Sequence, residues 1–302
     1  MNYLPKNLSF KEGVAYIGET SLVDIAKNYG TPLYVYDWEH LKDNIDGFTD
    51  AFGADTLFRY AAKAFISKAL VKELHEKGWG IDVVSGGEMA TVQETVGTLE
   101  NTVFNGTFKR TDEIEYFIQN NGGHISIDNR YEIEMLDKAA SSLNKKQPII
   151  MRINLDVGAE THPMVLTSGY DQQFGISIGF AEEALEQIVS SKSLLFSGIH
   201  VHVGSQIKDP ERYKLAMSSC SDFMNTHSEK VEEKAVFNAG GGFFSPYAGD
   251  EVDHELSIYS KAIHDGVKEH WSQDYKVMIE PGRALVNNPG VILYTAGAIK
   301  SD

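Results

Sequence analysis

Short runs of β-branched and aromatic residues alternate with helix-like stretches along most of the 302-residue chain. The stretches between the runs, such as SKALVKELHEKG and RYEIEMLDKAASSL, are typical of amphipathic helices. Each strand–helix unit is long enough for a right-handed parallel crossover. Strict alternation favours an α/β fold of the (β/α)8 TIM barrel type over an open doubly wound sheet. The predicted strands are LFRYAA (57–62), GIDVV (80–84), TVFNG (102–106), HISID (124–128), IIMRIN (149–154), GIHVHVG (198–204), AVFNAG (235–240) and VMIEP (277–281).

The two ends of the chain do not follow this repeat. TSLVDIAKNYG (20–30) predicts a capped helix that ends at Gly30, and the strand TPLYVYD follows it. GVILYTAGAI (290–299) is one more strand-like run after the eighth barrel strand. We therefore expect an incomplete second β domain formed by the chain ends. Residues 1–36 belong partly to it, residues 37–285 form the barrel, and residues 286–302 begin its C-terminal part.

Charge and composition narrow the class of partner. A formal charge of -16 argues against nucleic acid and anionic membranes, so an anionic ligand has to be held by local backbone N–H groups or an arginine. Cys220 is the only cysteine, and nothing in Met1–Phe10 resembles a secretion signal. No apolar run is long enough for a membrane span. We expect a soluble cytoplasmic protein that acts on a small molecule.

Polar and glycine residues follow the predicted strands one after another. In a barrel of this type the chemistry lies at the C-terminal ends of the strands. So many polar residues on one rim indicate a functional site. The residues at these positions are Lys63, Asp82, Glu88, Asn105, Asp128, Arg152, His202, Ser205, Gly240, Gly241, Gly242, Glu280 and Arg283.

The glycine run in AGGGFF (239–244) follows the seventh strand. Such a run lets the backbone approach a ligand closely and offers N–H donors to an anion, although an isolated run could equally form a tight turn. It is neither a GxGxxG fingerprint nor a P-loop, because no GKS or GKT follows. Its position favours a phosphate site, since loops seven and eight are the usual phosphate-binding loops of this barrel. Arg283, just past strand eight, could supply the countercharge.

Lys63 lies in the apolar segment YAAKAF. Most lysines are solvated surface groups, and Lys63 taken alone would be one of them. An amine among apolar residues, however, loses its charge more readily and forms Schiff bases. A lysine, a phosphate-binding loop and a carboxylate on one rim together indicate the cofactor pyridoxal 5'-phosphate (PLP).

The segment IHVHVGSQI (199–207) carries two histidines that a strand would present on one face. A metal site would need further ligands, which Asp82, Asp128 or Glu280 could provide. Stacking of His202 on a pyridine ring fits better, because Lys63 and the glycines imply such a cofactor. We expect no metal, and we expect His200, deeper in the barrel, to be a hydrogen-bonded core residue.

Seven segments resemble those of the diaminopimelate decarboxylases, a family of fold-type III PLP enzymes. The resemblance runs from about residue 12 to the end of the chain, with the segments in order. Ornithine and arginine decarboxylases share the barrel and an EPGR-type segment, but SGGE with HVHVGSQ is closer to the diaminopimelate branch. The segments are YGTPLYVYD (29–37), YAAKAF (60–65), DVVSGGE (82–88), SGYDQQFGIS (168–177), HVHVGSQI (200–207), GGGFFSPY (240–247) and EPGR (280–283).

The resemblance implies a reaction and a role for each matching residue. The reaction would be the PLP-dependent decarboxylation of meso-2,6-diaminopimelate to L-lysine. Lys63 would form the Schiff base with PLP, His202 would stack on the ring, and Glu280 would pair with the ring nitrogen. Ser205 and Gly240–Gly242 would hold the phosphate, with Arg152 close to the Schiff base. Asp82 and Glu88 would organise the rim, and Arg283 would contact the substrate carboxylate or the phosphate.

The chain departs from the family at its C-terminal end. Family members continue through a complete β domain with a CESxD-like segment, whose Cys and Glu enter the partner's active site in a homodimer. Cys220 does not match that segment. We therefore expect PLP binding with little or no decarboxylase activity in the 302-residue form. The alternatives are a decarboxylase for ornithine or arginine, a PLP-binding barrel without catalysis, and a metal enzyme of the amidohydrolase type.

Overall fold

The computed structural model describes residues 3–155, 174–231, 234–247 and 255–300. The chain begins with a small antiparallel sheet, a helix, a strand and a second helix. The first helix has the predicted caps: the Ser21 hydroxyl accepts a hydrogen bond from the Asp24 N–H, and Gly30 ends the helix. These elements are β1 (Leu8–Lys11), β2 (Val14–Ile17), β3 (Thr20–Ser21), α1 (Leu22–Tyr29), β4 (Leu33–Tyr36) and α2 (Trp38–Phe52).

Within the described ranges, eight parallel strands form a closed barrel, as the sequence predicts. Strand β8 pairs with β9 and β13 pairs with β5, which closes the ring, while the two-residue β10 extends β9 on the outside. The strands are β5 (Leu57–Ala61), β6 (Gly80–Val83), β7 (Thr102–Phe104), β8 (His124–Ile127), β9 (Gln147–Asn154), β10 (Ile176–Ser177), β11 (Leu194–His200), β12 (Ala235–Asn238) and β13 (Tyr275–Ile279).

Helices surround the barrel and bury their apolar faces against it. A separate apolar cluster of Val103, Ile150, Val236 and Met278, one from each of four strands, fills the barrel interior. The interior is therefore a packed core, and ligand space is left only at its rim. The remaining helices are α3 (Lys68–Glu76), α4 (Gly86–Val96), α5 (Thr111–Gln119), α6 (Arg130–Ser142), α7 (Ile178–Ser190), α8 (Glu211–Thr226), α9 (Leu256–His270) and α10 (Arg283–Val286).

The chain ends meet beside the barrel. Strand β14 (Gly290–Leu293) pairs antiparallel with β4 over Leu33–Tyr36. Tyr34 and Ile292 remain exposed on this two-stranded sheet, and Tyr294, directly after β14, is exposed as well. The limits of the second domain stay a prediction. In the described part of the chain, no helix combines the length and the apolar character that crossing a membrane requires.

Candidate active site

A cavity of about 490 Å³ opens at the C-terminal ends of the barrel strands. This volume is within the range of small-molecule sites. Most of the strands contribute to it through the residue at their end or the loop that follows. The polar side chains on its wall are Lys63, Asn105, Thr107, Arg152, His200, His202 and Glu280.

Glu280 directly follows β13 and is buried at the cavity wall. Its Oε1 accepts hydrogen bonds from Nδ2 of Asn105 at 2.9 Å and from Nδ2 of Asn238 at 2.6 Å. Its Oε2 lies 3.4 Å from Nε2 of His200. Two donors on one oxygen fix the orientation of the carboxylate, so the second oxygen is held toward the imidazole and the cavity.

Asp82 lies on β6 and is completely buried. Its Oδ1 accepts a hydrogen bond from Nδ2 of Asn105 at 2.8 Å, and its Oδ2 has no partner among the described residues. Burial and the charge of Glu280 raise the pKa of Asp82 to about 7, against the opposing effect of the Lys63 charge. Asp82 is therefore a carboxyl group behind the cavity wall that retains a proton more readily than an exposed aspartate.

Lys63 lies in a single 3-10 turn, Ala62–Ala64, that carries the chain past the end of β5. Its side chain is exposed, so the prediction of an amine enclosed by apolar residues is wrong. The turn projects beyond the barrel rim, where Tyr60 Oη anchors it by donating to the Phe65 carbonyl at 2.6 Å. The amine makes no hydrogen bond or ion pair with another described residue, and it lines the cavity. Lys63 is thus accessible to a ligand.

His202 lies two residues beyond the end of β11, and it still faces the same cavity as His200, as the alternation of the two histidines predicts. The chain leaves the strand at His200 and turns toward the glycine loop. Nδ1 of His202 accepts a hydrogen bond from the Gly241 N–H at 3.3 Å. Burial and the charge of Lys63 lower the pKa of His202 to about 3. The ring is therefore neutral, with its proton on Nε2 and its orientation fixed by the loop.

His200 is buried and bonded as the sequence predicts for a core residue. Its Nδ1 is 3.0 Å from the hydroxyl of Ser126. Burial is the first cause that lowers its pKa well below the usual value. Over the described ranges, no group of three or more His, Cys, Asp or Glu side chains is arranged to hold a metal ion.

The glycine loop packs against the cavity wall and needs glycine for steric reasons. Gly240 and Gly242 have positive φ values of 68° and 96°. A Cβ on Gly241 would lie 2.3 Å from the Glu280 carbonyl oxygen, and one on Gly242 would lie 2.1 Å from the Gly204 carbonyl oxygen. No other residue fits here without a shift of the backbone.

The amide groups of this loop are only partly open to a ligand. The Gly240 N–H donates to Oδ1 of Asn238 at 2.9 Å, and the Gly241 N–H donates to His202. These two N–H groups therefore already have hydrogen-bond partners within the protein. Ser205 is exposed nearby. A phosphate at Ser205 and the glycine loop stays a prediction.

Arg152 and Glu88 take different positions at the rim. Arg152 lines the cavity, with Nη1 3.5 Å from Oδ1 of Asp128 and Cζ 4.7 Å from the centre of the Phe174 ring. Glu88 instead accepts a hydrogen bond from the Val84 N–H at 2.6 Å, while its own N–H donates to the Ser85 hydroxyl. It fixes the loop that leads from β6 into α4, which agrees with an organising role.

Arg283 lies in a second cavity of about 450 Å³ that also reaches Lys63. Its guanidinium donates to the Tyr247 hydroxyl, and Tyr34 and Ile292 of the β4–β14 sheet form part of the wall. Two cavities thus meet at the lysine, one on the barrel rim and one against the sheet of the chain ends.

The site also contains residues that sequence analysis did not single out. Asn238 interrupts the apolar strand AVFN, and this single polar residue was the available signal. Lys109 and Glu132 form a buried ion pair below the rim, but a lysine in a loop and a glutamate in a helix are ordinary surface patterns. Of the segment SGYDQQFGIS, residues 168–173 lie outside the described residues.

Comparisons with known proteins agree with this site. Residues 39–287 match the family model "Pyridoxal-dependent decarboxylase, pyridoxal binding domain". The diaminopimelate decarboxylases of Bacillus methanolicus and Bacillus subtilis are 33% and 34% identical to the chain over 96% of its length. The chain spans 69% and 68% of these relatives.

A solved structure is similar over nearly the whole chain. The diaminopimelate decarboxylase of M. jannaschii, in complex with L-lysine, superposes with a TM-score of 0.88 at 28% identity. The match covers 98% of this chain and 71% of that protein. The superposed region therefore includes the barrel and the residues that match the pyridoxal binding domain. The chain belongs to the pyridoxal-dependent decarboxylase family.

Proposed function

We propose that this chain uses PLP to decarboxylate meso-2,6-diaminopimelate to L-lysine. The observation that carries the proposal is the placement of Lys63, His202 and Glu280 around one cavity at the barrel rim. The substrate is supported by the diaminopimelate decarboxylases that the chain resembles at 33–34% identity over 96% of its length. This proposal replaces the expectation of little or no decarboxylase activity.

The residues around the cavity fit PLP. The cofactor needs an amine for its aldehyde, a carboxylate at its ring nitrogen and a flat partner for its ring. Lys63, Glu280 and His202 supply these groups on one wall. Among the described residues, three buried polar atoms near this wall have no hydrogen-bond partner: His200 Nε2, Asn105 Oδ1 and Asp82 Oδ2. Unpaired buried polar atoms are costly without a ligand.

Each cavity residue has a task in this reaction. PLP, when bound, supplies an electron sink for the bond between the substrate Cα and its carboxylate. Lys63 would hold the cofactor through its amine, at the position that the substrate amine also requires. Glu280 would keep the ring nitrogen of the cofactor protonated, which makes the ring withdraw electrons more strongly. The neutral His202 ring covers one face of the cofactor, and Arg152 brings positive charge to the cavity.

We place the substrate between the two cavities that meet at Lys63. Arg283, on the wall of the second cavity, is then within the space where a substrate carboxylate would lie. This arrangement supports contact with the substrate over contact with the cofactor phosphate. Exchange of Arg283 for Lys should raise the KM for the substrate and leave PLP affinity unchanged. An unchanged KM with weakened PLP binding would assign Arg283 to the phosphate.

We also propose a homodimer and a cytoplasmic location. The family resemblance implies the homodimer, and the exposed side chains Tyr34, Ile292 and Tyr294 near the second cavity support a self-association surface. The location is the one expected from the composition of the chain. Sedimentation equilibrium tests the dimer: a monomer at every protein concentration would contradict it. Cell fractionation tests the location.

The substrate is tested by direct competition between amino acids. Purified protein with PLP should release carbon dioxide from meso-diaminopimelate at least about tenfold faster, by kcat/KM, than from L-ornithine, L-arginine or L-lysine. A preference for ornithine or arginine would replace the substrate and retain the chemistry. PLP binding without carbon dioxide release from any of them would support a non-catalytic barrel.

A further inference from the structure

Asn105 lies between two buried carboxylates at the base of the cavity. One nitrogen, Nδ2, donates to Oδ1 of Asp82 at 2.8 Å and to Oε1 of Glu280 at 2.9 Å. All three side chains are at most 4% exposed. The amide therefore uses both of its N–H groups on two acids that come from β6 and from the end of β13.

An amide suits the position between Asp82 and Glu280 because it is neutral and donates hydrogen bonds, whereas an ionised acid would only accept them. Two buried carboxylates that face each other repel, and a shared donor reduces that repulsion. Asn238 gives a second hydrogen bond to Glu280 and is not bonded to Asp82. Asn105 is thus the described side chain that holds both acids at once. Its Oδ1 has no partner in the described part of the chain, and Asn105 lies on the cavity wall.

We propose that Asn105 is a positioning residue for PLP, and that its bridge between Asp82 and Glu280 holds Glu280 in the orientation that pairs with the cofactor ring nitrogen. This inference rests on the proposed function only in its assignment of Glu280 to that nitrogen. It adds a requirement for a neutral hydrogen-bond donor at position 105. An acceptor there would repel both acids and turn Glu280 away from the ring.

The test is a PLP titration of purified protein followed by absorbance, with two substitutions. Asn105→Ala removes the donor, and PLP affinity should fall roughly 10- to 100-fold, the range for a hydrogen bond to a charged group. Asn105→Asp keeps the shape but donates only when protonated. The ratio of the PLP affinity of Asn105→Asp to that of the native protein, measured at each pH, should therefore fall as pH rises. The titratable groups around position 105 are Asp82, Glu280, His200, His202, Lys63 and Arg152, and the ratio to the native protein removes the pH dependence that both proteins share.

Asn120→Ala is the matched control. Asn120 also donates through Nδ2, to the Tyr116 carbonyl at 2.8 Å, at the end of α5 away from the rim. It should leave PLP affinity unchanged at every pH. Circular dichroism and thermal melting show which variants are folded, and if Asn105→Ala is too unstable to titrate, the isosteric Asn105→Asp decides.

Native-like PLP affinity and a flat affinity ratio in Asn105→Asp would overturn the inference. That result is distinct from failure of the proposed function, which would appear in the native protein as absent PLP binding or absent carbon dioxide release from meso-diaminopimelate. A structural role alone would lower the melting temperature of Asn105→Asp without the pH-dependent loss of PLP.

Discussion

Lys109 and Glu132 form an ion pair with Nζ 3.0 Å from Oε2, and their side chains are only 0% and 3% exposed. Nζ of Lys109 also donates to the Gly106 carbonyl at 2.8 Å, and Oε2 of Glu132 accepts the Asp128 N–H at 2.9 Å. The pair therefore ties the loop after β7 to the end of β8. The loop after β7 lines the cavity, so the pair supports that part of the cavity wall.

Removal of one partner of this pair should be strongly destabilising. Lys109→Met leaves Glu132 buried without a counter-ion and should lower the free energy of unfolding by about 3–5 kcal/mol. Combination with Glu132→Gln removes the unpaired charge and should recover part of the loss. Urea unfolding measures both. As a control, Lys138→Met breaks the exposed pair with Glu134 and should cost no more than about 1 kcal/mol. Equal losses for the two lysines would contradict the buried role.

The buried carboxyl of Asp82 should make the cofactor-free protein less stable as pH rises. Its folded-state pKa is raised from 3.8 to about 7 by burial and by Glu280. The unfolded chain releases this proton near pH 4 and the folded chain near pH 7. The contribution of Asp82 to the free energy of unfolding is therefore fully present below about pH 4 and is lost between about pH 4 and pH 7. Asp82→Asn should remove this loss of stability with rising pH. At pH 8 the free energy of unfolding of the variant should exceed that of the native protein by at most about 4 kcal/mol. Parallel stability–pH curves would contradict the shift.

The close contact of the glycine loop with Glu280 predicts a steric effect. Gly241→Ala would place Cβ 2.3 Å from the Glu280 carbonyl oxygen and should lower stability by about 1–3 kcal/mol, with weaker PLP binding. Gly47→Ala in α2 is the control, because nothing lies within 4 Å of its new Cβ. It should stabilise by up to about 1 kcal/mol. If Gly241→Ala is as stable as native and binds PLP equally, the packing described for this loop is incorrect.

Glu280 should matter both for the reaction and for cofactor binding. Glu280→Gln can retain the hydrogen bonds from Asn105 and Asn238 to Oε1, but it cannot hold a proton at the ring nitrogen. We expect kcat to fall by about 100-fold or more, and PLP affinity to fall by about as much as in Asn105→Ala. Steady-state kinetics and PLP titration measure the two effects. Glu94→Gln, on the exposed face of α4, is the matched control. A native kcat in Glu280→Gln would remove Glu280 from the chemistry.

The barrel could be predicted because its signals are local. Each strand is an apolar run, and the polar residues that follow the apolar positions lie within two residues of a strand end, so Lys63, Arg152, His202 and Glu280 reach one cavity as expected. The partners of these residues could not be predicted in the same way. The bridge from Asn105 to Glu280 joins residues 175 positions apart, and the contact of His202 with Gly241 depends on where β11 ends. The exposure of Lys63 follows from the 3-10 turn, which its apolar neighbours do not reveal.

The most direct test of this account is the reaction of Lys63 with PLP. The native protein with PLP should show long-wavelength absorbance that borohydride removes, and it should release carbon dioxide from meso-diaminopimelate. Lys63→Ala should lose both, whereas Lys68→Ala, an exposed lysine paired with Glu94, should keep both. If Lys63→Ala keeps an unchanged, borohydride-sensitive absorbance, another amine binds the cofactor and the central assignment is wrong.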